Sequence, residues 1–286
     1  MRALVLSGGG SHGAYQCSVI KYLVNDLGLQ YDCICGISVG ALNASYMSLY
    51  PQGQEKVAYA GLEKLWLGLS TSSVRKNWFP FGPGNALWLD SMYNSQPLID
   101  LVHADVDLNK IRANGRKVAV GATNVSKAEY RIFTQDDDCF VDGVLASSSF
   151  PMGLCPTVID GDKYSDGGLK HIIPMQEAIN FGATDLDVIA CGPRNTTSAF
   201  DDVDTITYGL RCLDLMCDQI ELCDMKIPDL YNQIVKAGGA TDKKLLNIKM
   251  VRPTADLTPS SLDFNHSDIV NMMNQGYEDA KQQYKL

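Results

Sequence analysis

Short runs of apolar residues alternate along the chain with longer stretches in which apolar residues recur every three or four positions. The runs are typical of buried strands, and the periodic stretches are typical of helices that cover a sheet. The predicted strands are Ala3–Leu6, Lys117–Val125, Tyr130–Thr134, Leu186–Cys191 and Leu245–Val251, and the main predicted helices are 55–69, 140–149, 174–181, 203–237 and 267–284. This order predicts an α/β fold with a mostly parallel sheet and helices on both faces.

The length of the chain fits one folding unit. At 286 residues and 45% hydrophobic composition, the chain can bury a substantial core, and no repeat or low-complexity segment divides it. We therefore expect a single domain over residues 1–286. Its chemical motifs fall within 1–190, and a part with predicted helices and a strand follows over 191–286.

Charge and cysteine content narrow the class of protein. A net charge of −9 without a basic stripe disfavours nucleic acid as a partner. The first apolar run is too short for a signal peptide, and no run approaches the ~18 residues of a spanning helix. Nine cysteines without a Cys-x-x-Cys pair indicate reduced thiols. We expect a cytoplasmic protein, with peripheral attachment to membranes left open, and no metal or cofactor.

A Gly-x-Ser-x-Gly motif joins a short apolar strand to a helix of small residues at Gly36-Ile-Ser38-Val-Gly40. This is the pattern of a nucleophile elbow, in which a strained turn exposes the serine hydroxyl and leaves room only for glycine on either side. In isolation the same motif is more often an ordinary glycine-rich loop, so its interpretation depends on the rest of the chain.

Two further glycine motifs end predicted strands. Gly8, Gly9 and Gly10 follow the first strand and precede a helix, where free amides and the helix dipole favour an anion. Asp166 follows a predicted hairpin strand and is succeeded by Gly167 and Gly168. Because α/β sheets place their chemistry at strand ends, these motifs are candidates for one site.

In combination, four ordered blocks resemble the patatin-like phospholipase family. The blocks are Gly8-Gly-Gly-Ser-His-Gly13, Gly36-Ile-Ser-Val-Gly-Ala-Leu-Asn-Ala44, Ala146-Ser-Ser-Ser-Phe-Pro151 and Asp166-Gly-Gly168. The resemblance implies a three-layer α/β domain and a serine lipid acyl hydrolase that acts on fatty acyl esters of phospholipids at a membrane or micelle surface. It also implies the site residues: the catalytic pair Ser38 and Asp166, the oxyanion-hole glycines Gly8, Gly9 and Gly10, the elbow glycines Gly36 and Gly40, and the supporting residues His12, Gly13, Gly167 and Gly168.

One position departs from the family pattern. His12 stands where the family usually has arginine or lysine, so the charge near the oxyanion depends on pH. A second expectation concerns Asp166, because a carboxylate with the reference pKa of ~3.9 is a weak base towards a serine hydroxyl. Desolvation without a salt-bridge partner would raise its basicity, which predicts a closed, apolar site.

Other readings of the same residues stay open. An α/β-hydrolase esterase would use Ser38, Asp166 and His266 as a triad, in that chain order. The run Gly8-x-Gly10-x-x-Gly13 with Asp32 fits a dinucleotide-binding fingerprint, although Asp32 begins a strand where the fingerprint requires an acidic residue at the end of one. A third possibility is a catalytically weak binding or regulatory member of the fold.

An aromatic segment with proline and glycine lies between two predicted helices. It contains Trp78, Phe79, Phe81 and Trp88. These aromatic residues predict either a mobile interfacial loop beside a lipid-binding site or side chains that pack beneath a long connection.

Overall fold

The computed structural model describes residues 1–193, 205–239, 244–257 and 261–284. The strands are β1 (Arg2–Leu6), β2 (Cys33–Gly36), β3 (Lys76–Asn77), β4 (Tyr93–Asn94), β5 (Lys117–Asn124), β6 (Glu129–Thr134), β7 (Thr157–Ile159), β8 (Asp162–Asp166), β9 (Asp185–Ile189) and β10 (Asn247–Val251). The helices are α1 (Gly13–Lys21), α2 (Val39–Met47), α3 (Glu55–Gly68), α4 (Thr71–Val74), α5 (Gln96–Asp105), α6 (Leu108–Asn114), α7 (Phe140–Ser147), α8 (Met175–Asn180), α9 (Thr205–Lys236) and α10 (His266–Gln283).

Within these residues the principal sheet has eight strands in the order β10-β9-β1-β2-β5-β8-β7, and β6 pairs with β5. The run from β10 to β5 is parallel throughout. Strands β6, β7 and β8 join in antiparallel fashion. The sheet is therefore mixed and mostly parallel, which confirms the α/β prediction.

Strand β5 brings two distant parts of the chain together. Its residue Val120 pairs with Gly36 of β2, and Ala122 pairs with Asp166 of β8. Strand β6 also pairs with Val120 and Ala122, and therefore occupies one edge of β5 at both residues. A strand residue has only one partner on each edge. Strands β2 and β8 must therefore share the other edge of β5, with Gly36 and Asp166 meeting end to end.

Alternation along the parallel strands divides the core into two layers. In β1, Leu4 and Leu6 belong to a large apolar cluster that includes side chains of α1, α2, α3, α7 and α10. Ala3 and Val5 belong to a smaller cluster on the opposite face, which includes side chains of α8 and α9. Because successive strand residues point to opposite faces, both faces of the sheet are covered by helices, as predicted.

Some element boundaries differ from the sequence prediction. The last helix begins at His266 with Asn265 as its N-cap residue, so the prediction that it begins at 267 is wrong by one residue. Strand β10 begins at Asn247, because the backbone of Leu246 pairs with the Asn232 side chain at 2.8 Å for both bonds and so leaves the sheet ladder. The first two residues of the predicted helix 203–237 lie outside the described residues.

The aromatic segment projects from the surface. Phe79 is 94% exposed, Phe81 70% and Trp88 75%, whereas Trp78 is half-buried. Three of the four aromatic side chains are thus exposed, and whether the segment contacts lipid stays a prediction. Among the described residues, no helix has both the length and the apolar composition needed to cross a bilayer.

Candidate active site

Ser38 occupies the tight turn between β2 and α2, with φ 54° and ψ −125°. A positive φ is uncommon for a residue with a side chain and indicates a turn fixed by its surroundings. A Cβ on Gly36 would lie 2.1 Å from the carbonyl oxygen of Gly40, and a Cβ on Gly40 would lie 2.3 Å from that of Leu6. Both glycines are therefore required by close backbone approach, and the serine at their centre is half-buried.

Three consecutive serines connect the turn to the strand that ends at Asp166. The Ser38 amide donates to Ser147 Oγ at 2.9 Å, and Ser148 Oγ donates to the Ser38 carbonyl oxygen at 3.1 Å. The Asp166 amide donates to the Ser149 carbonyl oxygen at 2.9 Å. Sequence reasoning used this serine run only as part of a family block, without assigning it the positioning of both residues.

The Asp166 side chain is buried, and no basic side chain in the described ranges forms an ion pair with it. Its Oδ1 accepts the Gly168 amide at 2.7 Å, and Oδ2 accepts no hydrogen bond of ordinary geometry from any described residue. Burial raises the pKa of this carboxyl to about 6, a rise that the Ser38 hydroxyl and the Gly168 amide oppose through hydrogen bonding. The hydroxyl of Ser38 and the carboxyl of Asp166 are therefore close enough for the one to lower the pKa of the other.

The glycine loop that precedes α1 offers fewer free donors than the sequence predicts. The Gly8 amide donates to the Ile172 carbonyl oxygen at 3.1 Å, because the chain after Asp166 passes beside the loop. One of the three amides expected to serve an oxyanion is therefore occupied, and the oxyanion role of the loop stays a prediction. For the amides of Gly9 and Gly10, the described part of the chain provides no acceptor, and both residues line the same cavity as Ser38.

The other supporting glycines act through close packing. A Cβ on Gly13 would lie 2.3 Å from Val39 Cγ2, and one on Gly167 would lie 2.2 Å from the Gly121 carbonyl oxygen. Gly9, at φ 153°, could not carry a Cβ without approaching Cys191 Cβ at 2.5 Å. These residues hold the first helix, the elbow and the end of β8 against one another.

A cavity of about 450 Å³ contains both Ser38 and Asp166. His12 also lines it, so the position that departs from the family pattern is part of the site. Much of its wall is aliphatic or aromatic, with Leu42, Leu62, Trp66, Leu98, Val102 and Leu154 among the lining residues. Such a cavity suits an apolar chain, with polar groups concentrated where the reacting atoms would lie.

The remaining candidate residues lie elsewhere. His266 is exposed in the first turn of α10 and does not line the cavity. His171 Nδ1 lies 2.9 Å from Asp224 Oδ1, and this partner raises the pKa of the imidazole. Asp32 accepts the Arg2 amide at 2.7 Å at the amino end of β1, at the opposite end of the sheet from the glycine loop. The dinucleotide-binding arrangement is therefore absent from these residues.

A protein-family model matches more than half of the chain. Residues 4–179 match the family model described as Patatin-like phospholipase. No curated protein sequence matches the chain. Among solved structures, the crystal structure of VipD from Legionella pneumophila aligns with 14% sequence identity and a TM-score of 0.49, covering 99% of this chain and 66% of that one. The chain therefore spans 66% of the length of VipD in that structure.

Proposed function

The chain belongs to the patatin-like phospholipase family, and we propose that it is a carboxylic ester hydrolase that cleaves fatty acyl esters of glycerophospholipids. Ser38 is the proposed nucleophile and Asp166 its general base. The reaction proceeds through an acyl-enzyme, without metal or cofactor.

The observation that carries this proposal is the environment of Asp166. Its carboxyl lies in the same cavity as Ser38 and is 3% exposed, and among the described residues no cation forms an ion pair with it. With a pKa of about 6 it is a stronger base than an ordinary aspartate and is still mostly ionised at neutral pH. Those two properties suit a general base that works without histidine.

In the first half of the reaction, Ser38 Oγ attacks the ester carbonyl carbon while its proton passes to Asp166 Oδ2. Negative charge develops on the former carbonyl oxygen, where the amides of Gly9 and Gly10 are the candidate donors. Donors that are fixed before the reaction stabilise this oxyanion without reorganisation, and each is typically worth ~10²–10³ in turnover. The tetrahedral intermediate then expels the alcohol, which takes its proton from Asp166.

In the second half, a water molecule attacks the acyl-enzyme. The Asp166 carboxylate accepts a proton from this water, and the same oxyanion donors stabilise the second tetrahedral intermediate. Collapse of that intermediate releases the fatty acid, while the proton on Asp166 returns to Ser38 Oγ. One carboxyl group thus acts as acid and base in alternation, so the cycle ends with both side chains in their starting states.

The apolar walls of the cavity support a lipid as the substrate. Leu62, Trp66 and Leu98 line the cavity on the side of α3 and α5, and these walls can take up an acyl chain. We also propose a reducing compartment such as the cytoplasm, because all nine cysteines, buried or exposed, are free thiols.

Hydrolysis of a soluble chromogenic ester such as p-nitrophenyl butyrate tests the proposed function. The wild type should release the chromophore, and Ser38→Ala should reduce turnover by at least about a thousandfold with an unchanged circular dichroism spectrum. A fluorophosphonate should label the wild type and not the variant. Labelling of Ser38→Ala at another residue would refute the assignment of the nucleophile, and absence of hydrolysis by the wild type would favour a binding or regulatory role.

A further inference from the structure

Helix α9 attaches to the body of the protein through buried carboxylates. Glu221 Oε1 accepts from Arg252 Nη2 at 2.8 Å. Asp224 lies beside His171. It also accepts hydrogen bonds from the backbone amides of Ile172 and Ile173, at 2.7 and 3.0 Å. Both acidic side chains are at most 9% exposed. Surface helices rarely bury their charged side chains, so the inward position of these two carboxylates requires an explanation.

The opposite side of the same helix exposes large apolar residues. Seven of them are between 43% and 59% exposed: Tyr208, Leu215, Met216, Leu222, Ile227, Leu230 and Ile234. At 100° per residue these positions cover an arc of about 140° on the helix surface, which we name the outer face of α9. A contiguous apolar face of this kind on a soluble domain marks a surface that contacts something other than water.

The charge distribution indicates what the outer face contacts. Its exposed polar positions are Thr205, Gln219, Lys226 and Gln233, whereas the exposed carboxylates Asp214 and Asp229 fall outside the arc. In a protein of net charge −9, an outer face without carboxylates avoids the desolvation of anions that contact with lipid would require. The single lysine can extend its ammonium group to the headgroup region.

The inner side of α9 links this face to the active site. Leu213 and Cys217 line the cavity that contains Ser38, so the helix is one wall of that cavity. We propose that the outer face of α9 docks the protein on a zwitterionic lipid surface and thereby places this cavity wall against the layer that holds the substrate. The choice of a lipid surface rests on the lipid substrate proposed above.

The width of the apolar arc favours a lipid layer over a second copy of the chain. A two-stranded coiled coil buries a narrow seam of two positions in seven. The outer face is wider, as in helices that lie in the plane of a bilayer with one side in the acyl region. A dimer through α9 is nevertheless a defined alternative outcome of the experiment.

The experiment compares two variants in which exposed aliphatic side chains are replaced by glutamine. In the first, Leu215→Gln, Leu222→Gln and Leu230→Gln are combined, which removes apolar surface from the outer face. In the second, Val57→Gln and Val158→Gln remove apolar side chains that are 55% and 61% exposed elsewhere. Co-sedimentation with phosphatidylcholine vesicles should show binding weakened by at least about tenfold in the first variant and unchanged in the second. Binding is measured in the Ser38→Ala background, so that hydrolysis does not alter the vesicles.

Activity and oligomeric state complete the test. The triple α9 variant should hydrolyse p-nitrophenyl butyrate at the wild-type rate and lose activity only on vesicles. Equal vesicle binding by wild type and triple variant, or no binding by either, would refute the docking proposal. So would a wild-type dimer, seen by analytical ultracentrifugation, that the triple variant converts to monomer while vesicle binding persists. Vesicle binding through α9 without hydrolysis of the soluble ester would instead retain the docking surface and refute the proposed enzyme.

Discussion

Replacement of Asp166 by asparagine should abolish activity and stabilise the protein at neutral pH. The amide keeps a carbonyl oxygen for the Gly168 amide but cannot take up the proton of Ser38. It also removes a buried charge that no cation in the described part of the chain neutralises. Activity and stability therefore change in opposite directions, as expected for a site strained for function.

The sign and size of the stability change follow from the pKa of about 6. Burial raises this pKa above the unfolded value near 3.8, so the folded protein binds the proton more tightly than the unfolded chain between these values. The free energy of unfolding of the wild type consequently falls as pH rises from about 3.8 to about 6 and is constant with respect to this group above that range. At 1.36 kcal/mol per pKa unit, the ionised carboxylate lowers stability by about 3 kcal/mol at pH 7.5.

Urea denaturation of wild type and Asp166→Asn at two pH values measures this effect. The variant should be more stable by up to about 3 kcal/mol at pH 7.5, and its advantage should shrink by about 2 kcal/mol at pH 4.5, where the wild-type carboxyl is protonated. Other titrating groups contribute equally to both proteins and cancel in the difference. The exposed carboxylate of Asp229 supplies the control, since Asp229→Asn should show no comparable dependence on pH.

The same pKa predicts the pH profile of the wild-type enzyme. Because the base must be ionised, kcat/KM should fall about tenfold between pH 7 and pH 5, whereas a base with a pKa of 3.8 would lose almost nothing. A stability difference between wild type and variant that is independent of pH, together with a flat rate profile down to pH 5, would refute the reasoning that Asp166 is a desolvated base.

Further predictions concern the glycines and the alternative triad. Gly36→Ala should prevent stable folding, because its Cβ would lie 2.1 Å from a backbone oxygen. Gly68→Ala should be tolerated, because nothing lies within 4 Å of the added atom. Thermal unfolding of the two variants measures the difference. Gly9→Ala should lower kcat more than it raises KM, since the Cβ would displace an oxyanion donor against Cys191; an unchanged kcat would exclude the loop from that role. His266→Asn should retain wild-type activity on a soluble ester. A loss comparable to that of Asp166→Asn would instead support a catalytic triad of Ser38, Asp166 and His266.

The parts of this site that could be predicted from sequence are those fixed by local crowding. The Gly-x-Ser-x-Gly turn is recognisable because its geometry admits no side chain beside Gly36 or Gly40, so the requirement is visible in the residues themselves. The alternating pattern likewise predicted a mostly parallel sheet. The single domain over 1–286 stays a prediction.

The remaining parts depend on contacts between distant segments. Nothing local indicates that β8 pairs with the same edge of β5 as β2, or that the Gly8 amide is occupied by Ile172. The attachment of α9 through Glu221 and Asp224 could not be predicted either, because acidic residues in a helical sequence pattern normally indicate solvent-exposed positions.

Because β2 and β8 pair with the same edge of β5, enzymatic activity requires that both of these distant strands have already paired. Each of the two strands carries or precedes one member of the proposed dyad, and both are positioned by pairing with the same edge of β5. Pairings between segments far apart in sequence form slowly, since loop closure must precede the contacts that stabilise it. During refolding, recovery of ester hydrolysis should therefore lag behind recovery of helical circular dichroism, and the delay measures the time that the sheet needs to bring its distant strands into register.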